Sequence, residues 1–426
     1  MFNIDSRNNV VFEGNGSIVG DREFNPTSSG EWGMGFYLKD CNNITIKGLK
    51  ISNFFGDSIY VGNYCKNILI KGNEIFNSRR QGISVIGGDT IFIIGNYIHD
   101  IKGTSPECAI DIEPNRDNTV DNVYIQNNTF KNNKGGSILT TFGSDFEKSY
   151  IRNVFISNNV FTESGKRDLF FNRGENIFVT YNNIKGTILG GVSKILISNN
   201  NIETDSITLN ECNYSCISNN NILLVKDGIT LVGKGFRVSN NNIELKNETN
   251  AFIVIDLKMA ESSFITNNII TGVSSSYIIR NNITDNKTPN SIIGNYINQE
   301  NTKQIWSTKS CHVEAYDLMN VGVSAEIPEI KENSLIYNNS YIGYRFFNKT
   351  INKPIYWNGE TWCDGNGISI DSKSSGTTSE RPIKIPIGFI FKDTTLNKLI
   401  VWDGTTWVNI DGTSLDTPTS EWTTIE

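Results

Sequence analysis

Two acids set two residues apart, Asp111 and Glu113 in the run Ala109-Ile110-Asp111-Ile112-Glu113, raise the first chemical expectation. If the run is a strand, alternation puts both carboxyls on one face, roughly 6–7 Å apart at two residues of rise. That separation suits an acid and a base acting across a glycosidic bond, near the boundary between retaining and inverting geometries. Asp57, Tyr60, the pair Arg79-Arg80, Gln81 and Asp168 fall at comparable places in neighbouring phrases and are the expected substrate-binding groups. Trp32 reads either as a stacking platform for a sugar ring or as a cap on the first coil. Two other readings stay open. Asp111 and Glu113 could pair with Arg79 or Arg80 in a purely structural ion cluster. Alternatively, Arg80 would neutralise a uronate carboxylate and Arg79 act as the base of a lyase, with the acids binding Ca²⁺ through oxygen ligands. His99, alone at a turn, reads as structural.

The elements that must position these residues are announced by a repeated phrase, an Ile or Phe preceded by one or two Asn. Its clearest rungs are Asn73-Glu74-Ile75, Asn96-Tyr97-Ile98, Asn128-Thr129-Phe130, Asn159-Val160-Phe161, Asn182-Asn183-Ile184, Asn200-Asn201-Ile202, Asn220-Asn221-Ile222, Asn241-Asn242-Ile243 and Asn281-Asn282-Ile283. Anchors at 51, 75, 98, 130, 161, 184, 202, 222 and 243 recur every 18 to 32 residues, a period that signals a solenoid. Each unit carries two or three short β-branched runs cut by Gly, Asn and Asp, and no helical period competes. Strands about 20 residues apart without intervening helices stack in parallel. Alternation places Ile59 and Val61, Ile83 and Val85, Ile110 and Ile112, Leu169 and Phe171, Ile207 and Leu209, and Ile229 and Leu231 on one face, with Tyr60, Ser84 and Asp111 facing solvent. Asn suits the turns because it tolerates left-handed angles, and stacked amides can hydrogen-bond up the column. The ladder therefore reads as scaffold. The long coils after Ile98 and Phe130 are expected to carry loops beside the acidic patch.

The bulk numbers bound the answer. A chain of 426 residues with formal charge −7 and a pI near 5.2 has no basic run to neutralise phosphates, which argues against a nucleic-acid partner. No apolar run reaches membrane-spanning length and no charged-then-apolar leader follows Met1, so a soluble chain without membrane insertion or a signal peptide is expected. Seven cysteines, scattered, do not form a disulfide framework. Cys41 and Cys65 share one register and should stack as free thiols rather than bridge.

Beyond Pro328 a second repeat begins. The stretch from Tyr341 through Trp362 recurs from Pro386 through Trp407 at a constant offset, and each copy has Trp-Asn-Gly or Trp-Asp-Gly before another Trp, a hairpin-turn signal. Such small units need bulky cores, so the Trp residues read as structural before sugar-stacking. The expected organisation is a β-helix over 1–300, a connecting segment over 301–335, hairpin modules over 336–370 and 381–413 joined by a flexible linker over 371–380, and a tail over 414–426.

The phrases Gly30-Glu31-Trp32-Gly33-Met34-Gly35, Gly56-Asp57-Ser58-Ile59-Tyr60-Val61-Gly62, Asn77-Ser78-Arg79-Arg80-Gln81-Gly82-Ile83-Ser84 and Ala109 through Asn115 resemble the pectate-lyase-like right-handed β-helix superfamily, in the form common among phage tailspikes and tail fibres. Ser58 stands where that superfamily usually has Gly. The C-terminal duplication is similar to hairpin modules of gut-phage tail proteins. The resemblance implies an all-β chain, a right-handed parallel β-helix followed by two small β-hairpin modules. It further implies a bacterial surface polysaccharide as partner, a homotrimer, contact with other virion tail proteins, and a place in the virion tail, the alternative being a secreted bacterial protein. Three functions follow as expectations: a depolymerase using Asp111 as acid and Glu113 as base or nucleophile, a receptor-binding or structural fibre without activity, and a bacterial uronate lyase. No cofactor is expected, and Ca²⁺ enters only with the lyase.

Overall fold

A computed structural model describes residues 1–25, 29–115, 117–141, 149–162, 167–246, 253–274, 276–282, 288, 290–297, 305–307, 312–314, 320–322, 345–348, 350–357, 361–365, 368–383, 385, 387–411 and 413–415. The chain divides into two compact units, Met1–Val313 and Glu314–Glu426.

In the first unit three parallel sheets run the length of the stack, with thirteen, thirteen and twelve strands among the described residues. Each coil gives one strand to each sheet. For one coil these are Ile83–Val85 in sheet A, Gly88–Ile94 in sheet B and Tyr97–His99 in sheet C. Parallel strands joined by same-sense crossovers form a right-handed β-helix. The apolar residues expected to share a face do so: Ile59, Val61, Ile83, Val85, Ile110, Ile112, Leu169, Phe171, Ile207, Leu209, Ile229 and Leu231 are all sealed inside. Each such side chain contributes about 1.5–3 kcal/mol by leaving water. The stack continues past residue 300, because Ile305–Ser307 pairs in parallel with Ile279–Asn282.

The Asn phrase divides two tasks between adjacent residues. The residue before each rung takes the left-handed angle, as at Gly95, Asn127, Asn158, Tyr181, Asn199, Asn219, Asn240 and Asn267, which Gly and Asn do at least cost. The rung Asn then turns inward. Asn96, Asn128, Asn159, Asn182, Asn200, Asn220 and Asn241 are buried, and the amide of each reaches the next coil. Asn96 Nδ2 donates to Asn128 Oδ1 at 3.0 Å, and Asn128 Nδ2 to Asn159 Oδ1 at 3.0 Å. The same amides satisfy interior carbonyls, such as Ile93 O at 2.8 Å from Asn128 Nδ2, so a polar column in an apolar bore is fully bonded. One expected rung is misplaced. Asn281 lies on a sheet A strand, where it accepts from Asn290 Nδ2 at 2.7 Å, and the rungs of that region are Asn268 and Asn295. Ile283 lies outside the described residues.

Cys41 and Cys65 are buried free thiols in adjacent coils. Burial pushes the Cys65 thiol up to about 12.

In the second unit the duplication gives two four-stranded sheets. Arg345–Asn348 and Lys353–Trp357 pair antiparallel in the first, as Ile390–Asp393 and Lys398–Trp402 do in the second. Trp357 meets Trp362 and Trp402 meets Trp407 edge-on, each pair 5.8 Å apart between ring centroids, in keeping with a core role. The stretch 371–380, expected to be a flexible linker, is ordered. Ser375–Gly376 adds a parallel strand to the second sheet. A short 3₁₀ turn follows, fixed by a capping box between Thr377 and Glu380 and by Thr378 Oγ1 donating to Asp393 Oδ2 at 2.8 Å. Its Ser and Thr hydroxyls supply capping bonds here instead of looseness. The segments expected at 323–344 and 416–426 lie outside the described residues.

Candidate functional site

Strand register places Tyr60 and Asp111 of the predicted residues on the outer face of sheet A. Tyr37, Tyr60, Ser84, Asp111, Leu139, Phe170, Leu189 and Thr208 occupy one outward column. Leu189 is a rung that pattern reading skipped. Tyr60 stacks on Tyr37 at 5.0 Å, and burial pushes its phenol up to about 12.

Asp111 was expected to face solvent. It faces outward from the bore but is only 1% exposed, one of several polar side chains packed into a nest on this face. Gln81 Nε2 donates to Asp111 Oδ2 at 2.9 Å, and Gln81 Oε1 accepts the Cys108 N–H at 3.2 Å. The Gln81 N–H donates to Asp57 Oδ1 at 3.2 Å, and Ser84 Oγ to Asp57 Oδ2 at 2.8 Å. Asp111 Oδ1 is buried with no donor. Glu113, just past the end of the strand Cys108–Ile112, is half-exposed, and its charge raises Asp111.

The electrostatics follow from this crowding. Burial, then the like charges of Glu113 and Asp57, hold the Asp111 carboxyl well above the usual carboxylate range against the pull of Arg80. Burial also raises Glu113, with Arg80 opposing and Glu31 assisting. Asp57 is pushed up to about 6 by burial, again with Arg80 opposing. Burial thus favours the protonated form of both the Asp111 and the Glu113 carboxyl, Asp111 being the more deeply buried of the two. Asp111 lies on the strand Cys108–Ile112, and Glu113 follows immediately after its end.

The two arginines separate. Arg80 NH2 meets Glu31 Oε1 at 3.2 Å. Arg79 turns to the wall instead: Nε donates to Phe55 O at 2.7 Å, NH1 to Thr104 Oγ1 at 2.5 Å, NH2 to Gly30 O, and its guanidinium lies 3.9 Å over the Phe55 ring. It pins the excursion between Val19 and Phe36 along one edge of sheet A. Arg22 NH1, donating to Asn77 O at 2.9 Å, does the same. Trp32 sits on this wall, 56% exposed and 5.9 Å from Phe55. The long coil after Ile98 supplies residues 100–107 beside Arg79, where Thr104 N donates to Arg79 O at 2.8 Å. On the opposite edge Asn118 Nδ2 donates to Asn63 Oδ1 at 2.9 Å and Ser149 Oγ to Asn115 O at 3.0 Å. Residues 142–148, expected to carry a loop here, lie outside the described residues.

Asp168 stands apart. It precedes its strand at a corner, beside Ser137 rather than in the Asp111 column; Ser137 Oγ donates to it at 3.2 Å, and burial pushes it up to about 7. His99 is held by Asp100 at 2.7 Å and stacks on Phe76 at 5.0 Å, as a structural residue would. Reading by residue type missed Glu31 and Ser84. Both stand in the quoted phrases, but only the packed excursion brings Glu31 to Arg80.

The fold and the walled acidic face define a right-handed parallel β-helix protein. Residues 8–184 match the family model described as a right handed beta helix region. Among curated relatives, protein YclG of Bacillus subtilis is 27% identical over 277 residues, covering 57% of this chain and 43% of YclG. The SPbeta prophage-derived protein YorA of the same organism is 26% identical over 280 residues, covering 59% and 44%. The chain thus spans less than half the length of these relatives. Among solved structures, the tailspike protein gp49 of Pseudomonas phage LKA1 aligns with 65% of this chain and 45% of its own at 13% identity and a TM-score of 0.32. Tailspike protein 3 of bacteriophage CBA120 aligns with 86% and 59% at 12% identity and 0.25.

Proposed function

We propose that this chain is a phage tail protein of tailspike or tail-fibre type that binds a bacterial surface polysaccharide and hydrolyses it at the Asp111–Glu113 pair. The observation that carries the reading is a buried Asp111 carboxyl with one unpartnered oxygen, followed two residues on by the half-exposed Glu113, on a walled face. Similarity to a prophage-derived protein supports the phage setting. Glu113, the exposed member, delivers the pair's proton to the glycosidic oxygen as the C–O bond breaks. Water then adds to the oxocarbenium carbon, and its proton returns to the pair. Arg80 offsets the second negative charge that the pair carries in between. Trp32 and Tyr60 offer surfaces for sugar rings. The assembly is a homotrimer joined to other tail proteins in the virion.

A second reading, binding without cleavage, is favoured by the burial of Asp111 and the Arg80–Glu31 pairing, which a purely structural cluster would also show. The lyase reading loses its base, because the Arg79 guanidinium is committed to Phe55, Thr104 and Gly30. The deciding experiment incubates the chain with surface polysaccharides of candidate host bacteria and follows product size and new reducing ends. Shortened chains with reducing ends support hydrolysis. Saturable binding without shortening supports the second reading, and unsaturated products absorbing in the ultraviolet would restore the lyase.

A further inference from the structure

Gln81 is 1% exposed, and three of its hydrogen bonds fix it in the acidic nest. Its amide orientation is set by chemistry. The Cys108 N–H can only donate, so the group that meets it at 3.2 Å is the Gln81 oxygen, and the NH₂ must face Asp111 Oδ2, 2.9 Å away. Its own N–H is taken by Asp57 Oδ1 at 3.2 Å. Gln81 therefore has no freedom to flip and presents a fixed donor to one oxygen of one carboxyl.

We infer that Gln81 is a positioning residue that assigns the proton of the Asp111–Glu113 pair to Asp111 Oδ1. A donor at Oδ2 favours that oxygen as an acceptor. A proton there would collide with the NH₂ hydrogen and forfeit the bond. Oδ1 has no donor and is buried, so as a bare carboxylate oxygen beside Glu113 it would be both unsatisfied and repelled. Protonated, it becomes the donor that Glu113 accepts. The charged and titratable groups facing the pair pull both ways. Asp57, two coils below, raises Asp111, and Arg80 favours the ionised form of both carboxyls. Glu31 on the excursion raises Glu113. The Cys108 thiol, held well above its usual range by burial, stays neutral. The consequence is a pair whose proton rests on the buried acid and whose exposed member is ionised.

The inference deepens the hydrolase reading, but its test needs no substrate, so failure to cleave any glycan leaves it standing. Infrared spectroscopy of the purified chain, with the Asp side-chain carboxyls isotopically labelled, reports protonated Asp through the carboxylic acid C=O stretch. At neutral pH the wild type should show a label-sensitive acid band that disappears in Asp111→Asn. In Gln81→Met, which removes the donor, the band should shift in frequency and its titration midpoint should rise by about one pH unit. In Gln81→Glu, near-isosteric and so the safeguard if the Met variant does not fold, the new side chain must itself be protonated to donate. That adds a second acid band without the Asp label. The absence of an Asp111-dependent band in wild type overturns the inference. So do wild-type frequency and midpoint in a folded Gln81→Met chain, or a lone wild-type band in Gln81→Glu.

Discussion

Glu31 and Arg80 meet at 3.2 Å across the edge of sheet A, and through that pair an excursion leaving the first coil reaches the coil of Ile83–Val85, directly below the strand of Asp111. Glu31 raises Glu113 by its charge, whereas Arg80 lowers it. Replacing Glu31 by Gln removes the first influence and frees Arg80 for the second. The Glu31→Gln variant should therefore move the acid limb of the pH–rate profile for polysaccharide cleavage to lower pH. An unmoved limb would show that Glu31 lies outside the electrostatics of the pair.

Glu113→Gln removes the group that meets substrate and should lower turnover by about 10²–10⁴-fold at all pH values. Asp111→Asn should behave differently. It still offers a hydrogen bond to Glu113 but no proton, so activity should survive only at lower pH, where Glu113 protonates for itself. Reducing-end assays across pH separate the two patterns, and full activity in both variants would sink the assignment.

Asp57 gives a pH dependence of stability with a definite sign. Its folded value is about 6, above the ordinary aspartate value of 3.8. The folded state therefore binds the proton more tightly than the unfolded chain does. Asp57's contribution is complete below about pH 4 and is lost as pH rises through about 6. Asp57→Asn can keep both bonds, with Oδ1 accepting from Gln81 N and Nδ2 donating to Ser84 Oγ. Urea midpoints should then fall less steeply over that window than in wild type. An unchanged slope would mean that Asp57 ionises freely in the folded protein.

The division of tasks within the Asn phrase predicts unequal costs for neighbours. Asn128→Ala strips acceptors from the Asn96 N–H and amide, at 2.8 and 3.0 Å, and a donor from Ile93 O. It should cost about 3–5 kcal/mol, because several buried groups lose partners together. Asn127→Ala forfeits only tolerance of its φ of 56° and should cost about 1 kcal/mol, with Asn127→Gly nearly neutral. Denaturant melts of the three variants give the ranking.

Much of this architecture is legible in the order of residues. Alternation alone places Ile110 and Ile112 inside and Asp111 on the outer face, and the Asn spacing fixes which strand lies above which. That works because side-chain direction in a stacked strand depends only on parity and register. What parity cannot reveal is what lies on top of an outward residue. Asp111 faces away from the bore yet is sealed, and Arg79 serves the wall and not the floor, because Gly30, Phe55 and Thr104 come from three separate coils and meet only in the folded stack. The linker at 371–380 misleads for a similar reason, since Asp393, which anchors it, lies beyond it in the chain.

The Asn column also has a direction. At every rung the amide nitrogen points toward the following coil and the oxygen toward the preceding one, from Asn73 to Asn96 and onward to Asn268 and Asn295. The amide dipoles therefore add instead of cancelling. The two ends of the column are chemically unlike: the first rung presents an oxygen, taken by the Leu49 N–H at 3.0 Å, and the last a nitrogen, spent on Ile265 O at 2.7 Å. A whole coil inserted in mid-column finds a donor below and an acceptor above already in place. The stack can thus lengthen or shorten in units of one coil while both termini, and the coils that build the acidic face, keep the same chemistry.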